Sequence, residues 1–300
     1  MLPATLHVLV RDWLNANHIL FLGPDENVLI DAGHVSGIDE TLRRVREALD
    51  GRPLHRLLNT HCHSDHMGGN AAVQRAFGCP IHVPEGEADA IARWDTDALW
   101  LDFAGQVAER FTFDAVTRPG DTLALGGFDW QAIAAPGHDM GALMFWCEAE
   151  RILISGDALW ARGFGVVLPG DGVDERLAAA RETLHVIRDL RPQVVIPGHG
   201  EPFTEVDGAV DACLSRVAAF EADERKLARH VLKVMLVFSM LERGGFREDA
   251  LDGFVAATPM YADYDAAWFQ IGAVALGRAI TEELIASGAL RREDGWLRPA

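Results

Sequence analysis

The chain has 300 residues, of which 49% are hydrophobic and 24% are charged, and this balance excludes a wholly disordered protein. Because 27 Lys and Arg stand against 45 Asp and Glu, the formal net charge is −18, which argues against binding to nucleic acid or to an anionic membrane. No apolar run reaches the roughly 18 residues of a membrane-spanning helix, and the N-terminus lacks a signal-peptide pattern. The four cysteines form no CxxC pair, so we expect a cytoplasmic protein without disulfides.

The first 200 residues alternate between patterns typical of strands and of helices. Two short apolar runs that end at glycine flank the turn-rich segment 24–27 and predict a β-hairpin. Apolar residues at helical spacing predict helices over 37–49, 69–77 and 173–190. Strands are predicted over 18–23, 28–33, 54–60, 81–84, 128–135, 142–147, 151–155 and 193–197. This alternation indicates an α/β fold, in which functional side chains gather at one end of the strands.

The composition changes near residue 205 and predicts two domains, 1–205 and 206–300. Residues 205–243 are helical in pattern, a second helical pattern covers 266–287, and Asp294-Gly295 between apolar flanks predicts a hairpin. Helices followed by a hairpin resemble a winged-helix module. Residues 229–300 contain eight basic and ten acidic side chains, so we do not expect DNA binding. We predict that the C-terminal helical domain is a substrate lid, a dimerisation surface or both.

The strongest chemical signal is the loop that follows the predicted strand 54–60. It reads Thr60-His61-Cys62-His63-Ser64-Asp65-His66 and holds three of the 12 histidines of the chain. Imidazole and carboxylate groups are ligands of zinc and of similar first-row metals. In a loop that leaves a strand end, His61 and His63 can converge on one ion, and Asp65 and His66 on a second.

Further candidate ligands recur beside glycine at the ends of later predicted strands. His138 lies in PGHDMG, Asp157 in SGD and His199 in PGHG. Each motif alone is weak, because a single His after a turn is usually a surface or capping residue. Since the strand ends of such a fold meet at one edge, the motifs together with the HxHxDH loop predict a single metal cluster.

With Asp31 in VLIDAGH, these motifs make the chain resemble the metallo-β-lactamase-fold hydrolases, and their glyoxalase II branch more than the true β-lactamases. The resemblance covers the order and spacing of five motifs and implies an αββα sandwich with two divalent metal ions. Zinc is the first expectation, with iron and manganese as alternatives. The implied ligands are His61, His63 and His138 for one metal and Asp65, His66 and His199 for the other, with Asp157 bridging both and Asp31 orienting the ligands from outside.

The chain departs from the family pattern in two places. The motif PGHDMGAL has Ala142 and Leu143 where the family often has a second His, Ser or Thr. The basic residues that contact glutathione in glyoxalase II are not evident either, since the only lysines, Lys226 and Lys233, lie in the helical tail. The first departure removes a contact, and the second argues against S-lactoylglutathione as the substrate.

The resemblance implies hydrolysis of an acyl thioester, ester or lactone by a metal-bridging hydroxide. Two ions that share a water lower its pKa from 15.7 toward about 7, and Asp65 is the expected proton acceptor. A thiolate or alkoxide leaves without much help from a general acid, which favours these substrates over amides. Three alternatives stay open: a nuclease of the same fold, a mononuclear iron sulfur dioxygenase and a non-catalytic binding protein.

Two aromatic-rich segments are candidate walls of the substrate site. Trp160 and Phe164 can form an apolar acyl pocket, in which Arg162 can meet an anionic group. Tyr261 and Tyr264 are the two tyrosines of the chain, and aromatic side chains with a polar end suit a wet pocket. The expected partners are a small-molecule acyl substrate and a second copy of the chain in a homodimer, but neither nucleic acid nor membrane.

Overall fold

The computed structural model describes residues 2–300 and places two mixed β-sheets in the first two-thirds of the chain. The first sheet contains, in chain order and in spatial order, β1 (Leu6–Leu9), β2 (His18–Leu22), β3 (Asn27–Ile30), β4 (Arg56–Leu58), β5 (Ile81–Pro84) and β6 (Ala115–Thr117). Its first three strands are antiparallel, and β3 to β6 run parallel. The parallel half of this sheet therefore sends several strand ends to one edge.

The second sheet has the spatial order β11-β10-β9-β8-β7. Its strands are β7 (Thr122–Leu125), β8 (Phe128–Ala134), β9 (Leu143–Cys147), β10 (Ile152–Gly156) and β11 (Val194–Pro197). All neighbours are antiparallel except β10 and β11, which are parallel. The edge strand β11 and its neighbour β10 consequently end on the same side of the sheet.

Helices lie outside both sheets and form the C-terminal region. In the first two-thirds they are α1 (Ile38–Leu49), α2 (Ser64–Met67), α3 (Asn70–Phe77), α4 (Ala88–Arg93), α5 (Leu101–Ala104) and α6 (Val173–Leu190). The remainder contains α7 (Val206–Glu221), α8 (Glu224–Arg243), α9 (Glu248–Ala257), α10 (Pro259–Tyr264) and α11 (Ala273–Ala286). A small antiparallel sheet of order β12-β14-β13 completes it with β12 (Phe246–Arg247), β13 (Leu290–Glu293) and β14 (Trp296–Pro299).

Alternation along the strands explains the order of the layers. Successive side chains of a strand point to opposite faces. On β2, Ile19 and Phe21 point into the core between the two sheets, which also contains Trp130 of β8. Leu20 between them points to the outer core, where it joins Val45 of α1. Both faces of the strand are therefore buried, as expected of a sheet that is covered on two sides.

The second sheet follows the same rule. Ile154 and Ile196 belong to the core between the sheets, whereas Leu153 and Val195 belong to the core that the sheet shares with α6, including Leu184. The layers are helix, sheet, sheet and helix. The prediction of an αββα fold with a C-terminal helical region is confirmed.

Local signals explain where the helices of the C-terminal region begin and end. The pattern over 205–243 is two helices, because the side chain of Asp223 caps α8 by accepting a hydrogen bond from the backbone nitrogen of Lys226 at 3.0 Å. Gly244, with φ of 69°, ends α8 in the left-handed conformation that favours glycine. The pattern over 266–287 is likewise divided at Gly272, and a short π-helical turn precedes it.

One apolar cluster joins the C-terminal region to the second sheet. It contains Leu153 of β10, Leu177 of α6, Val210 of α7, Leu232 of α8 and Leu276 of α11. The division into domains at 205 and 206 remains a prediction, and α7 begins at Val206. Within residues 2–300, no helix is both long and apolar enough to cross a membrane.

Candidate metal centre

The predicted ligands follow the ends of β4, β8, β10 and β11, and Asp31 follows the end of β3. Strand β3 stops at Ile30, earlier than predicted, because Asp31 turns the chain with a φ of 59°, a conformation that is uncommon for a residue other than glycine. The Asp31 carboxylate accepts hydrogen bonds from the backbone nitrogen and the hydroxyl of Thr60, at 2.9 and 2.8 Å. These bonds hold the start of the HxHxDH loop against the neighbouring strand end.

The structure brings all seven predicted ligands together in two adjacent sets. Within each set the candidate ligand atoms lie within 4.8 Å of one another, and the sets are His61, His63 and His138, and Asp65, His66, Asp157 and His199. In the first, His63 Nδ1 and His138 Nε2 are 2.8 Å apart. In the second, His199 Nε2 is 3.1 Å from Asp65 Oδ2. The division between the sets is the one that the resemblance implies.

The two oxygens of the Asp157 carboxylate face different sets. Oδ1 lies 3.3 Å from His66 Nε2 and 3.7 Å from His199 Nε2, while Oδ2 lies 3.7 Å from His138 Nε2. A Cβ at Gly198 would lie 2.2 Å from Asp157 Oδ1, so the PGHG loop approaches this carboxylate only because glycine stands there. A carboxylate in this position is able to bridge two metal ions.

The buried ring nitrogens test whether the site fits a metal. His61 Nε2 and His66 Nε2 have no hydrogen-bond partner among the described residues. Their other nitrogens are held from outside: His61 Nδ1 lies 3.1 Å from the Thr60 hydroxyl, and His66 Nδ1 lies 2.8 Å from Asp31 Oδ2. Unpaired buried polar atoms are costly, and partners behind the ring are typical of metal-binding histidines. The donor set therefore fits divalent metal ions.

The electrostatics of the cluster favour the same interpretation. Burial lowers the pKa of His63 to about 4. Burial on its own would raise the pKa of Asp65, but His66 and His199 lower it to about 2, and the same two rings hold the pKa of Asp157 well below its usual range despite burial. Despite burial, the carboxylates of Asp157, Asp31 and Asp65 raise the pKa of His66 well above its usual range, so the cluster favours a positive charge at this point. Ionised carboxylates bind metals directly, and a metal bound here would displace the proton of His66.

A buried carboxyl pair behind His63 was not predicted from the sequence. Asp139 Oδ2 lies 3.4 Å from His63 Nε2. Burial and the charge of Asp139 raise the pKa of Glu87 well above its usual range, which favours a proton between the two carboxyl groups. The close approach needs small residues, since a Cβ at Gly141 would lie 2.2 Å from Glu87 Oε1 and one at Gly86 would lie 2.6 Å from Gly141 Cα. Asp139 thus lies within ion-pair distance of His63 Nε2, while His63 Nδ1 faces His138.

A cavity of 340 Å³ opens beside the two sets. At the cluster it is bordered by Trp13, which is 58% exposed and stacks on His199 at 5.7 Å between ring centroids. Gln106 also lines it, and its side chain oxygen accepts a hydrogen bond from Ser64 while its Nε2 has no partner among the described residues. Its far wall is one face of α8.

The predicted substrate-contacting residues differ in where they lie. Trp160 borders the cavity, and its Nε1 donates a hydrogen bond to Asp157 Oδ1 at 3.1 Å. Arg162 is exposed and Phe164 is buried, and neither lines the cavity. Tyr261 and Tyr264 are buried in the apolar cluster of the C-terminal region and do not reach the cavity either. The structure therefore brings one of these five residues to the cavity.

The sequence of this chain matches a known protein family. The family described as the Metallo-beta-lactamase superfamily matches residues 11–199, which include all seven candidate ligands. The chain belongs to the metallo-β-lactamase superfamily. It is thus a member of a family of metallo-hydrolases, as the sequence motifs predict.

Relatives within the superfamily include thioester hydrolases. The chain is 28% identical over 193 residues to a hydroxyacylglutathione hydrolase of Bdellovibrio bacteriovorus, which covers 63% of this chain and 65% of that protein. It is 27% identical over 213 residues to the acyl-coenzyme A thioesterase MBLAC2 of Homo sapiens, which covers 63% of this chain and 74% of that protein. The chain spans less than two-thirds of the length of the hydroxyacylglutathione hydrolases that it matches.

Solved structures share the fold at low identity. The metallo-beta-lactamase family protein TTHA1429 of Thermus thermophilus superposes with a TM-score of 0.60 over 100% of both chains, at 20% identity. The FEZ-1 metallo-beta-lactamase of Legionella gormanii superposes with a TM-score of 0.58 at 17% identity, over 74% of this chain and 94% of that one. About three-quarters of this chain therefore superposes on nearly the whole of the lactamase.

Proposed function

We propose that the protein is a dinuclear metal-dependent hydrolase that acts on an acyl thioester, ester or lactone. The observation that carries the proposal is the pair of adjacent ligand sets whose common member, Asp157, turns one oxygen to each set. Both sets border a cavity large enough for a small organic ligand. Among the relatives named above, both enzymes hydrolyse thioesters by their names.

The residues of the chain have distinct tasks in this proposal. One metal would be held by His61, His63 and His138, the other by Asp65, His66 and His199, with Asp157 between them, and zinc is the metal we expect. When bound, two such ions activate a water molecule and polarise an acyl carbonyl. Asp65, kept ionised by its histidine neighbours, accepts the proton of the attacking water.

The charges around the site weigh against the nuclease alternative. The chain carries a net charge of −18, which repels a phosphate backbone. Lys233 is the one lysine or arginine that lines the cavity in the described residues, and its Nζ is already paired with Glu283 Oε2 at 2.7 Å. Among the described residues, the cavity therefore offers no unpaired lysine or arginine to a phosphodiester.

The second ligand set, with all its predicted residues present, argues against a mononuclear iron dioxygenase and against a non-catalytic binding protein. A mononuclear iron dioxygenase needs one metal site only, and Asp65, His66 and His199 would then be surplus. A binding protein without catalysis would need neither set. The roles of residues 206–300 as a lid and as a homodimer surface remain proposals, and sedimentation analysis tests the latter.

A substrate panel tests the proposal. The metal-loaded protein should hydrolyse thioesters or esters with a kcat/KM at least about 100-fold above that for bis-p-nitrophenyl phosphate and single-stranded RNA. Replacing Asp65 by Asn should abolish this activity, while the exposed Asp129→Asn serves as a matched control. Faster cleavage of RNA than of every acyl substrate would overturn the proposal in favour of a nuclease.

A further inference from the structure

Helix α8 presents an apolar stripe to the cavity beside the candidate metal centre. The stripe recurs at positions i, i+3, i+4 and i+7, which lie on one face of a helix, and it consists of Val234, Val237, Phe238 and Leu241. All four are half-buried, whereas their neighbours Leu232 and Leu236 on the other face are fully buried in the core. The helix therefore has one apolar face for the core and a second for the cavity.

The other walls give the cavity two chemically different ends. Leu99, Trp100 and Leu284 add further apolar surface. Polar groups are concentrated at the ligand sets and at the nearby pair of Ser64 and Gln106. A cavity with an apolar body and polar groups at one end matches an acyl group, whose carbonyl is polar and whose chain is not.

Size and charge restrict the acyl group further. A cavity of 340 Å³ is far larger than the roughly 30 Å³ of one water molecule in the liquid, so it has room for a chain of several methylenes. A charged acyl group would lose its hydration on moving from water to the α8 stripe, which is costly without an ionic partner. The one basic side chain among the described residues of the cavity wall, Lys233, already pairs with Glu283. A small polar group such as lactoyl would leave most of the apolar wall without contact.

We propose that the cavity binds a medium-length apolar acyl group, and that the α8 stripe selects it over short or polar acyl groups. The inference rests on the proposed function, because the acyl carbonyl must reach the ligand sets. The carrier of the acyl group stays outside the cavity. The C-terminal region thereby supplies the specificity of a centre that the first 200 residues build.

Neutral thioesters of N-acetylcysteamine test the selectivity in the full-length, metal-loaded protein. We expect kcat/KM for the octanoyl thioester to exceed that for the acetyl and lactoyl thioesters by at least about 30-fold, since each buried methylene favours binding. Val237→Phe fills part of the cavity. It should lower kcat/KM for octanoyl at least about 10-fold more than kcat/KM for acetyl, mainly through KM.

Two further variants serve as a control and as a substitute for Val237→Phe. Val186→Phe makes the same change at a half-buried position of α6 that does not line the cavity, and it should leave the octanoyl-to-acetyl ratio unchanged. If Val237→Phe is insoluble, Val234→Phe alters the same wall one turn earlier. Hydrolysis with no preference for octanoyl, and with a ratio that neither cavity variant changes, would overturn the proposal while leaving the proposed function intact.

A binding measurement tests the acyl cavity separately from the proposed hydrolase activity. S-octyl-N-acetylcysteamine is a thioether without an acyl carbon that hydroxide could attack. Calorimetry should show that it binds the wild type at least about 10-fold more tightly than it binds Val237→Phe. If no thioester is hydrolysed but this difference is present, the proposed function is wrong and the apolar cavity stands. Equal binding of the thioether to both proteins would overturn the cavity assignment itself.

Discussion

At the residue scale, Asp157 is the candidate ligand whose carboxylate faces both sets. Its two oxygens face different sets, whereas His138 and His199 each belong to one. We expect Asp157→Ala to remove more metal than either His138→Ala or His199→Ala, because it takes a ligand from both ions. Elemental analysis of the purified variants measures this, with the exposed Asp129→Ala as control. Equal metal loss in all three ligand variants would show that Asp157 does not bridge.

The carboxyl pair behind His63 leads to a second prediction at this scale. Removing the partner of a metal-binding histidine weakens metal binding about 10- to 100-fold, and we expect this of Asp139→Ala. Glu87→Gln keeps a neutral hydrogen-bond donor beside Asp139 and should stay within about 3-fold of the wild type, whereas Glu87→Leu should not. Competition with a chelator gives the affinities. A Glu87→Gln variant as weak as Glu87→Leu would contradict the account.

Residues in local motifs could be predicted from the sequence, but residues that approach from afar could not. His61 to His66 and the motifs around His138, Asp157 and His199 place the ligand types at strand ends, and the structure brings them together. Glu87 lies in no motif. Its contact with Asp139 depends on two glycines, Gly86 and Gly141, that allow separate loops to touch. Trp13 and Gln106 likewise reach the cavity only through the tertiary fold.

At the scale of the elements, the packing of α7 on α8 contains a titratable group. His230 of α8 is half-buried and stacks on Phe220 of α7 at 5.3 Å between centroids. Burial, together with the nearby charges of Arg216 and Lys233, lowers the pKa of His230 from 6.5 to about 4. Between these values the unfolded chain binds more protons at this position than the folded one, so His230 makes stability rise with pH.

The matching prediction concerns the pH dependence of unfolding. We expect His230→Phe to reduce the gain in the free energy of unfolding between pH 4.5 and 6.5 by about 1–2 kcal/mol, because it removes the proton uptake of the unfolded state. Urea denaturation across this pH range measures the change, and the wild type shares every other titrating group. Identical pH dependence in the two proteins would refute the assignment.

Long elements with a clear period were predictable, and short edge strands were not. The period of α6 predicts Val173–Leu190, which the structure reproduces, and β5 has its predicted bounds. The strand β6 has only three residues, Ala115–Thr117, at the edge of its sheet, too few to show an alternating pattern. The apolar face of α8 was evident in the sequence, but the division between core and cavity is set by its neighbours.

At the scale of the whole molecule, the C-terminal region and the hydrolase sheet share one apolar cluster. Leu153, Leu177, Val210 and Leu232 belong to it, so residues 206–300 cover surface that the first 205 residues would otherwise expose. We expect a fragment of residues 1–205 to be insoluble or weakly active, measured as soluble yield and thioester turnover. A soluble, monomeric fragment with unchanged kinetic constants would show that the tail neither supports the fold nor shapes the cavity.

The central claim is that the two ligand sets form one dinuclear centre that hydrolyses acyl substrates. Titration of chelator-treated, full-length protein with zinc, followed by elemental analysis and thioester hydrolysis, tests it most directly. We expect two ions per chain, activity that is lost on chelation, and full recovery only as the second ion binds. Full activity with one ion per chain would contradict the central claim.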